Sequence, residues 1–424
     1  MTDRKTITPT HRYRNNDTLI GIGNEFWDMS ERNGLAGIVA DYSGGVLRTG
    51  AGHEFIDADH EFINFSCCSY LDLDSHPKVV EGGIDALRRY GVLDHCIARS
   101  RVQIPAMLEL ETSLGELFGA HVVCSIAAST ATFGLLPLIA SGHLGNGTRP
   151  LMIFDKNAHV SMAHLKPVCA DETEVVTSPH HDLDFIEDAC KKYARVAYVC
   201  DGSDSLGGYA PVKELAELQD KYGLLVYYDD SHSLSAYGER GVGYVRSHSP
   251  VLDERTIVVM TLNKAFGTSG AAIVLDGYEK ETLRIIERFG GALNYSQLLN
   301  TPAVGAGLAS AEIHRTAELT TLQNRLYGNI ALFDSLIRTD QTGNTFPIRL
   351  VPMSDSTVIE AGRRVFEAGF YVSPVFFPIV ARGTAGLRVM MRAGQTQDQI
   401  RRLCAVLAEV GAPKAAPLPP EAAR

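Results

Sequence analysis

The chain has 424 residues, 45% of them hydrophobic, and a formal net charge of −11. That acidity offers no clustered Lys/Arg footprint for nucleic acid or an anionic membrane, and no apolar run approaches the ~18 residues of a spanning helix. A chain this long and this apolar has enough material for a large core divided between two domains.

The opening residues "MTDRKTITPTHRYRNND" lack the apolar stretch of a secretory signal, and eight scattered cysteines form no CxxC pair. The expectation is a cytoplasmic protein with reduced, mostly buried thiols. Residues 1–60 read as an N-terminal arm and 61–300 as a large domain. From residue 120 one phrase recurs: a short β-branched run, a polar residue at its end, then a helical pattern. The instances are "HVVCSIAAS", "PLMIFDKNAH", "RVAYVCDGSDS", "GLLVYYDDSHS" and "TIVVMTLNK". Runs this apolar suit strands buried on both faces, and "DLDFIEDACKKYA" and "PVKELAELQDKYG" have the spacing of amphipathic helices. The alternation predicts an α/β fold with a mostly parallel, doubly wound sheet. Residues 285–330 read as one long connecting helix into a smaller C-terminal α+β domain over 301–410. The Pro/Ala-rich tail 411–424 is expected to be disordered.

Ligands of such sheets sit beyond the carboxyl ends of the strands, where Asp155, His159, Asp201, Ser205, Asp229, His232, Thr261 and Lys264 fall. A lysine ending a buried strand either pairs with a carboxylate or serves as a Schiff-base amine, because burial disfavours its charge. The lysine alone does not decide between these. Asp229 is placed to face a protonated pyridine nitrogen and His232 a phenolic oxygen; a local capping turn is the alternative. In "AASTATFGLLPL" the start of a helix makes Ser129, Thr130 and Ala131 a candidate phosphate cradle, although an N-cap Ser or Thr is ordinary. His180 and His181 lack a ligand pattern and read as a polar loop, so no metal is expected.

Taken in order, these motifs resemble the α-oxoamine synthase family of fold-type I enzymes that depend on pyridoxal 5'-phosphate (PLP). The resemblance runs from about residue 60 to 410, through "NFSCCSYLDLDSHPKVV", "DKNAHVS", "DGSDSLGGYAP", "DDSHSLSAYGERGVG", "TLNKAFG" and "GTAGLRVMMRAGQT". It implies Lys264 as the lysine joined to the cofactor aldehyde and as the base for the α-proton. His159 stacks on the ring, Ser205 is a polar contact near it and Thr261 a phosphate ligand. Arg388 holds the substrate carboxylate, and Ser296 reaches the phosphate of a partner subunit in a homodimer. The implied reaction joins an amino acid to an acyl thioester, on CoA or a carrier protein, giving an α-aminoketone, carbon dioxide and free thiol. An aminotransferase, racemase or carbon–carbon lyase on the same fold is the alternative, and a non-catalytic PLP-binding protein the second.

The departures fall on the substrate side. Cys68 and Ser69 stand where the family pattern has Asn and Asp, Asp72 where it has Gly, Met107 and Gln395 where it has His, and Asn263 where it has Ser. They make Cys68 and Ser69 candidate substrate contacts and point to a divergent member in specialised metabolism.

Overall fold

The apolar phrases form strands because β-branched side chains fit a pleated surface covered on both sides. The protein is described here from a computed structural model covering residues 16–43, 46–49, 59–145, 147–249, 251–377 and 379–415. A ribbon of β1 (Ala40–Ser43), β2 (Val46–Thr49) and β3 (Glu61–Asn64) comes first. The central sheet follows with β4 (His121–Ser125), β5 (Leu151–Asp155), β6 (Val175–Ser178), β7 (Val196–Asp201), β8 (Leu225–Asp229), β9 (Thr256–Thr261) and β10 (Ala271–Leu275). Their spatial order is β4-β10-β9-β8-β7-β5-β6, with β10 antiparallel to β4 and β9 and the remaining pairs parallel.

Both faces of this sheet are dry. Val226, Tyr228, Val258 and Met260 pack with Leu215 on one side; Leu225, Tyr227, Ile257 and Val259 pack with Leu135 and Ile139 on the other. The helix Leu183–Lys192 starts where Asp182 accepts a hydrogen bond from the Phe185 amide at 2.9 Å. Among the described residues no helix is long and apolar enough to cross a membrane.

The expected single helix over 285–330 is instead four: Lys280–Phe289, Ala292–Tyr295, Thr301–His314 and Ala317–Asp334. The last break has a chemical cause. Thr316 leaves the helical conformation and its hydroxyl accepts from the Glu318 amide, capping the next helix. Beyond it, β11 (Ile348–Pro352), β12 (Phe370–Tyr371), β13 (Ser373–Val375) and β14 (Gly386–Met390) follow; β11, β14 and β13 form a small sheet while β12 runs parallel to β3. Phe65, Tyr70, Leu71, Leu73 and Val79 pack into the core of this C-terminal part. Within the tail, Ala412 is buried and Lys414 bridges Ile337, so residues 411–415 are packed; 416–424 lie outside the described residues.

Strand register places the site. Asp201 lies opposite Asp229 across the β7–β8 ladder, and Ala271 pairs with both Thr261 and Ser125, so the ends of five strands share one edge. Lys264 follows on a loop closed by the Leu262 amide on the Gly270 carbonyl at 2.8 Å and the Thr268 amide on the Leu262 carbonyl at 3.0 Å. Gly267 makes that loop possible, with φ of 83° and the Leu73–Asp74 backbone so near that a Cβ would sit 2.5 Å from the Leu73 carbonyl carbon. Gly267→Ala is therefore expected to lower stability by at least about 2 kcal/mol, combining the left-handed penalty with the clash. Urea unfolding measures it, and an unchanged midpoint would contradict the close approach.

Candidate active site

Desolvation decides the state of the central amine. Lys264 is half-buried, and burial lowers its pKa below the ordinary lysine value; the carboxylate of Asp229, then Cys68 and Asp201, oppose that shift, while Arg388 reinforces it. No described carboxylate comes within ion-pair distance of its Nζ. The structural alternative of a paired lysine is thus absent among the described residues.

Asp229 is buried at the end of β8, and its side chain accepts one hydrogen bond, from the Ser231 amide at 3.1 Å. Next to it, Asp201 is pushed well above the usual carboxylate range by burial and by the charge of Asp229; its Oδ2 accepts from the His159 amide at 2.9 Å. That contact sets His159, whose Nδ1 also meets the Ser161 hydroxyl at 2.8 Å. His159 is exposed, yet the surrounding protein desolvates the ring enough to lower its pKa, with Asp229 opposing and Lys264 reinforcing the shift. His232 is buried, and its Nδ1 lies 2.7 Å from the Tyr70 hydroxyl. Burial, then the charges of Lys264, Arg388 and His159, drive its pKa well down, so it is neutral.

Arg388 projects from β14. Its Nη1 donates to the Ser205 carbonyl at 3.3 Å, its Nε has no partner, and no described carboxylate pairs with it. Its charge nevertheless acts on Lys264, His232 and Tyr70. A half-buried guanidinium in that condition is a seat for an anion. The geometry thus gathers Lys264, Asp229, His159, His232 and Arg388, with Ser205 attached through its carbonyl oxygen.

Three expectations need correction. Ala131 is not a free phosphate donor, since its amide is bonded to the Ala127 carbonyl at 3.1 Å. The open N–H groups of the Ala128–Ala140 helix belong to Ala128, Ser129 and Thr130, and Ala127 at the cap supplies no side-chain bond. Thr261 does not offer its hydroxyl proton, which goes to Asn263 Oδ1 at 2.6 Å. Ser69 is buried and donates to Asp74 at 2.5 Å, making it a turn residue rather than a substrate contact. Ser296, expected to reach the phosphate of a partner subunit, caps the short Ala292–Tyr295 helix of its own chain beside exposed Tyr295, next to Gln297, whose amide bonds the carbonyl of exposed Ile97.

Other departures find plain places. Met107 is fully buried core. Cys68 directs its thiol at Met390 Sδ at 3.5 Å and lies close to the Tyr70 hydroxyl. Asn263 is exposed, and no described group engages its amide nitrogen, so it keeps two donors where Thr261 keeps none. His180 and His181 converge on Asp155, a grouping invisible in the sequence. Its carboxylate already accepts four hydrogen bonds, from the Asn157 amide at 2.7 Å, His180 Nδ1 at 2.9 Å, the His181 amide at 2.8 Å and the Tyr198 hydroxyl at 2.7 Å. With every lone pair occupied, the cluster is a structural network rather than a ligand set.

Three unsatisfied features remain together at this edge of the sheet: an uncapped helix N-terminus, an unpaired amine of lowered pKa, and a buried carboxylate without a cation. They are complementary to the phosphate, aldehyde and pyridine nitrogen of PLP, so the residues fit that cofactor.

The aminotransferase class I and II family model matches residues 159–407, more than half of the chain. The 8-amino-7-oxononanoate synthase of Alkaliphilus metalliredigens is 28% identical over 360 residues, covering 82% of this chain and 87% of that protein. Among solved structures, Sphingomonas wittichii serine palmitoyltransferase superposes with a TM-score of 0.78 at 20% identity, covering 95% of this chain and 98% of that one. A serine palmitoyltransferase from S. paucimobilis with bound PLP–myriocin aldimine gives 0.78 at 20% identity, with 93% and 97% covered. The chain belongs to the aminotransferase class I and II family, as a PLP-dependent acyltransferase of α-oxoamine synthase type on the fold-type I scaffold.

Proposed function

We propose that this protein condenses an amino acid with an acyl thioester, releasing carbon dioxide and free thiol and forming an α-aminoketone. The observation that carries the reading is the gathering of an unpaired amine, an unpaired guanidinium and a buried carboxylate at one sheet edge. PLP, when bound, supplies the electron sink that lets an α-C–H bond of the amino acid break. Asp229 would face the pyridine nitrogen, His159 the ring, and the amides of Ala128, Ser129 and Thr130 the phosphate, with Asn263 as a further donor. Arg388 holds the substrate carboxylate and so fixes which α-bond lies where Lys264 can reach it. Lys264, whose charged form desolvation disfavours, accepts the α-proton at Nζ.

The amino acid and acyl group belong to specialised metabolism in this reading, because Cys68, Asp72 and Gln395 all stand on the side of Arg388. The acting species is a cytoplasmic homodimer. Supporting this, Leu93, Ile97, Val102, Phe289 and Tyr295 are each at least 60% exposed in the single chain. Sedimentation at twice the chain mass is expected, and a monomer at micromolar concentration would overturn that part.

The direct test combines a panel of amino acids with a panel of acyl thioesters and follows free thiol and carbon dioxide together. Equal release of both supports the condensation; amino-group transfer or racemisation without thiol would assign a different outcome of the same fold. Arg388→Ala is expected to raise the KM for the amino acid on the order of 10- to 100-fold, the loss of a charged hydrogen bond of about 1.5–3 kcal/mol, with less effect on the thioester. An unchanged KM would move the carboxylate elsewhere.

Lys264→Ala is expected to leave no borohydride-fixed cofactor on the chain, which peptide mass spectrometry reads. The pH dependence has a definite sign. Only the free amine captures an aldehyde, so capture of PLP by the apoprotein rises with pH and levels off below the 10.5 of an ordinary lysine. A plateau reached only at or above that value would contradict the desolvated amine.

A further inference from the structure

We propose that Tyr70 is a positioning residue that holds His232 in one neutral tautomer, with the ring proton on Nε2. Both side chains are buried, and the phenolic oxygen lies 2.7 Å from His232 Nδ1. In a neutral phenol–imidazole pair the phenol is the stronger donor and the imidazole nitrogen the stronger acceptor, so the hydroxyl donates to Nδ1. With that lone pair occupied, the imidazole proton belongs on Nε2, which becomes a donor of fixed direction. Burial, and the neighbouring Lys264, Arg388 and His159, all of which oppose added positive charge there, keep the ring from taking a second proton.

The hydroxyl is itself held in place. The Tyr70 carbonyl accepts from the Ala393 amide at 2.9 Å, its ring is packed in the C-terminal core, and the Cys68 thiol lies close to its oxygen. A phenol fixed at the seam between the 65–79 segment and the small domain therefore aims a histidine on the large domain. The consequence is a fixed N–H donor for the phenolic oxygen of the cofactor, an inference that rests on the placement of His232 beside that ring.

The tautomer is read first in apoprotein labelled with 15N-histidine, the His232 signals being assigned by their loss in His232→Ala. Long-range proton–nitrogen correlation is expected to show Nε2 protonated and Nδ1 bare. Nδ1 protonated in the native protein would overturn the proposal without any Tyr70 variant. Tyr70→Phe keeps the ring and removes the donor, so both nitrogens should move toward averaged shifts; unchanged shifts would also overturn it. PLP titration of the apoprotein then separates aim from packing. Tyr70→Phe is expected to weaken PLP binding about tenfold alone, and not further in the His232→Ala background. Equal losses in both backgrounds would mean that Tyr70 acts through packing alone and would overturn the inference. If His232→Ala leaves PLP affinity intact, the placement of His232 by the cofactor fails, and the role of Tyr70 toward it falls with it.

Discussion

An amine whose charge is disfavoured by burial and not restored by an ion pair is the constraint on which this site depends. Lys264 has carboxylates on its own side of the sheet, yet burial outweighs their attraction. The arrangement of Asp201 and Asp229 makes that balance possible. Asp201 and Asp229 lie opposite one another on neighbouring parallel strands, and two buried carboxylates so placed do not both ionise readily. Asp201 takes the upward shift, and with it the tendency to hold a proton. That weakens the negative charge facing Lys264.

The strand ends were legible because a doubly wound sheet writes its own pattern. A run buried on both faces must be apolar throughout, so the first polar residue after it marks the carboxyl end, as at Asp155, Asp201, Asp229 and Thr261. Partnerships were not legible. Tyr70 and His232 are 162 residues apart, and nothing in either neighbourhood announces the other. Asp155 with His180 and His181 is hidden in the same way. The hydroxyl of Thr261 looked available because its engagement depends on a rotamer that points it at Asn263, a fact of side-chain geometry rather than of spacing. The helix break at Thr316 did have a sequence signal, a capping threonine two residues before Glu318, masked by apolar periodicity continuing on both sides.

Three of the positions that depart from the family pattern turn out to be neighbours. Asp72 pairs with Arg392 and accepts from the Gly394 amide at 2.6 Å. Gln395 accepts from the Arg392 amide at 2.9 Å and donates to the Met390 carbonyl at 3.1 Å, while Cys68 rests on the Met390 sulfur. All three act on the stretch from Met390 to Gln395, directly after the strand that carries Arg388. Asp72 has φ of 56°, a left-handed conformation that Asp tolerates better than most residues, which is how a side chain occupies a position where the pattern has glycine.

That convergence changes how the departures are understood. Had they been scattered, each would be a separate adjustment to a surface or a core. Gathered where the chain leaves β14, Asp72 and Cys68 tie the 68–72 segment to that stretch and Gln395 braces it from within, while Lys264, Asp229 and His232 match the pattern. The same seam contains Tyr70, whose carbonyl accepts from Ala393 within that stretch. A change in how the small domain seats its arginine therefore also sets where the Tyr70 phenol lies, and through it the direction of His232. Arg388 and His232 are thus linked by one short piece of chain, the stretch after β14 with the Tyr70 segment bonded to it.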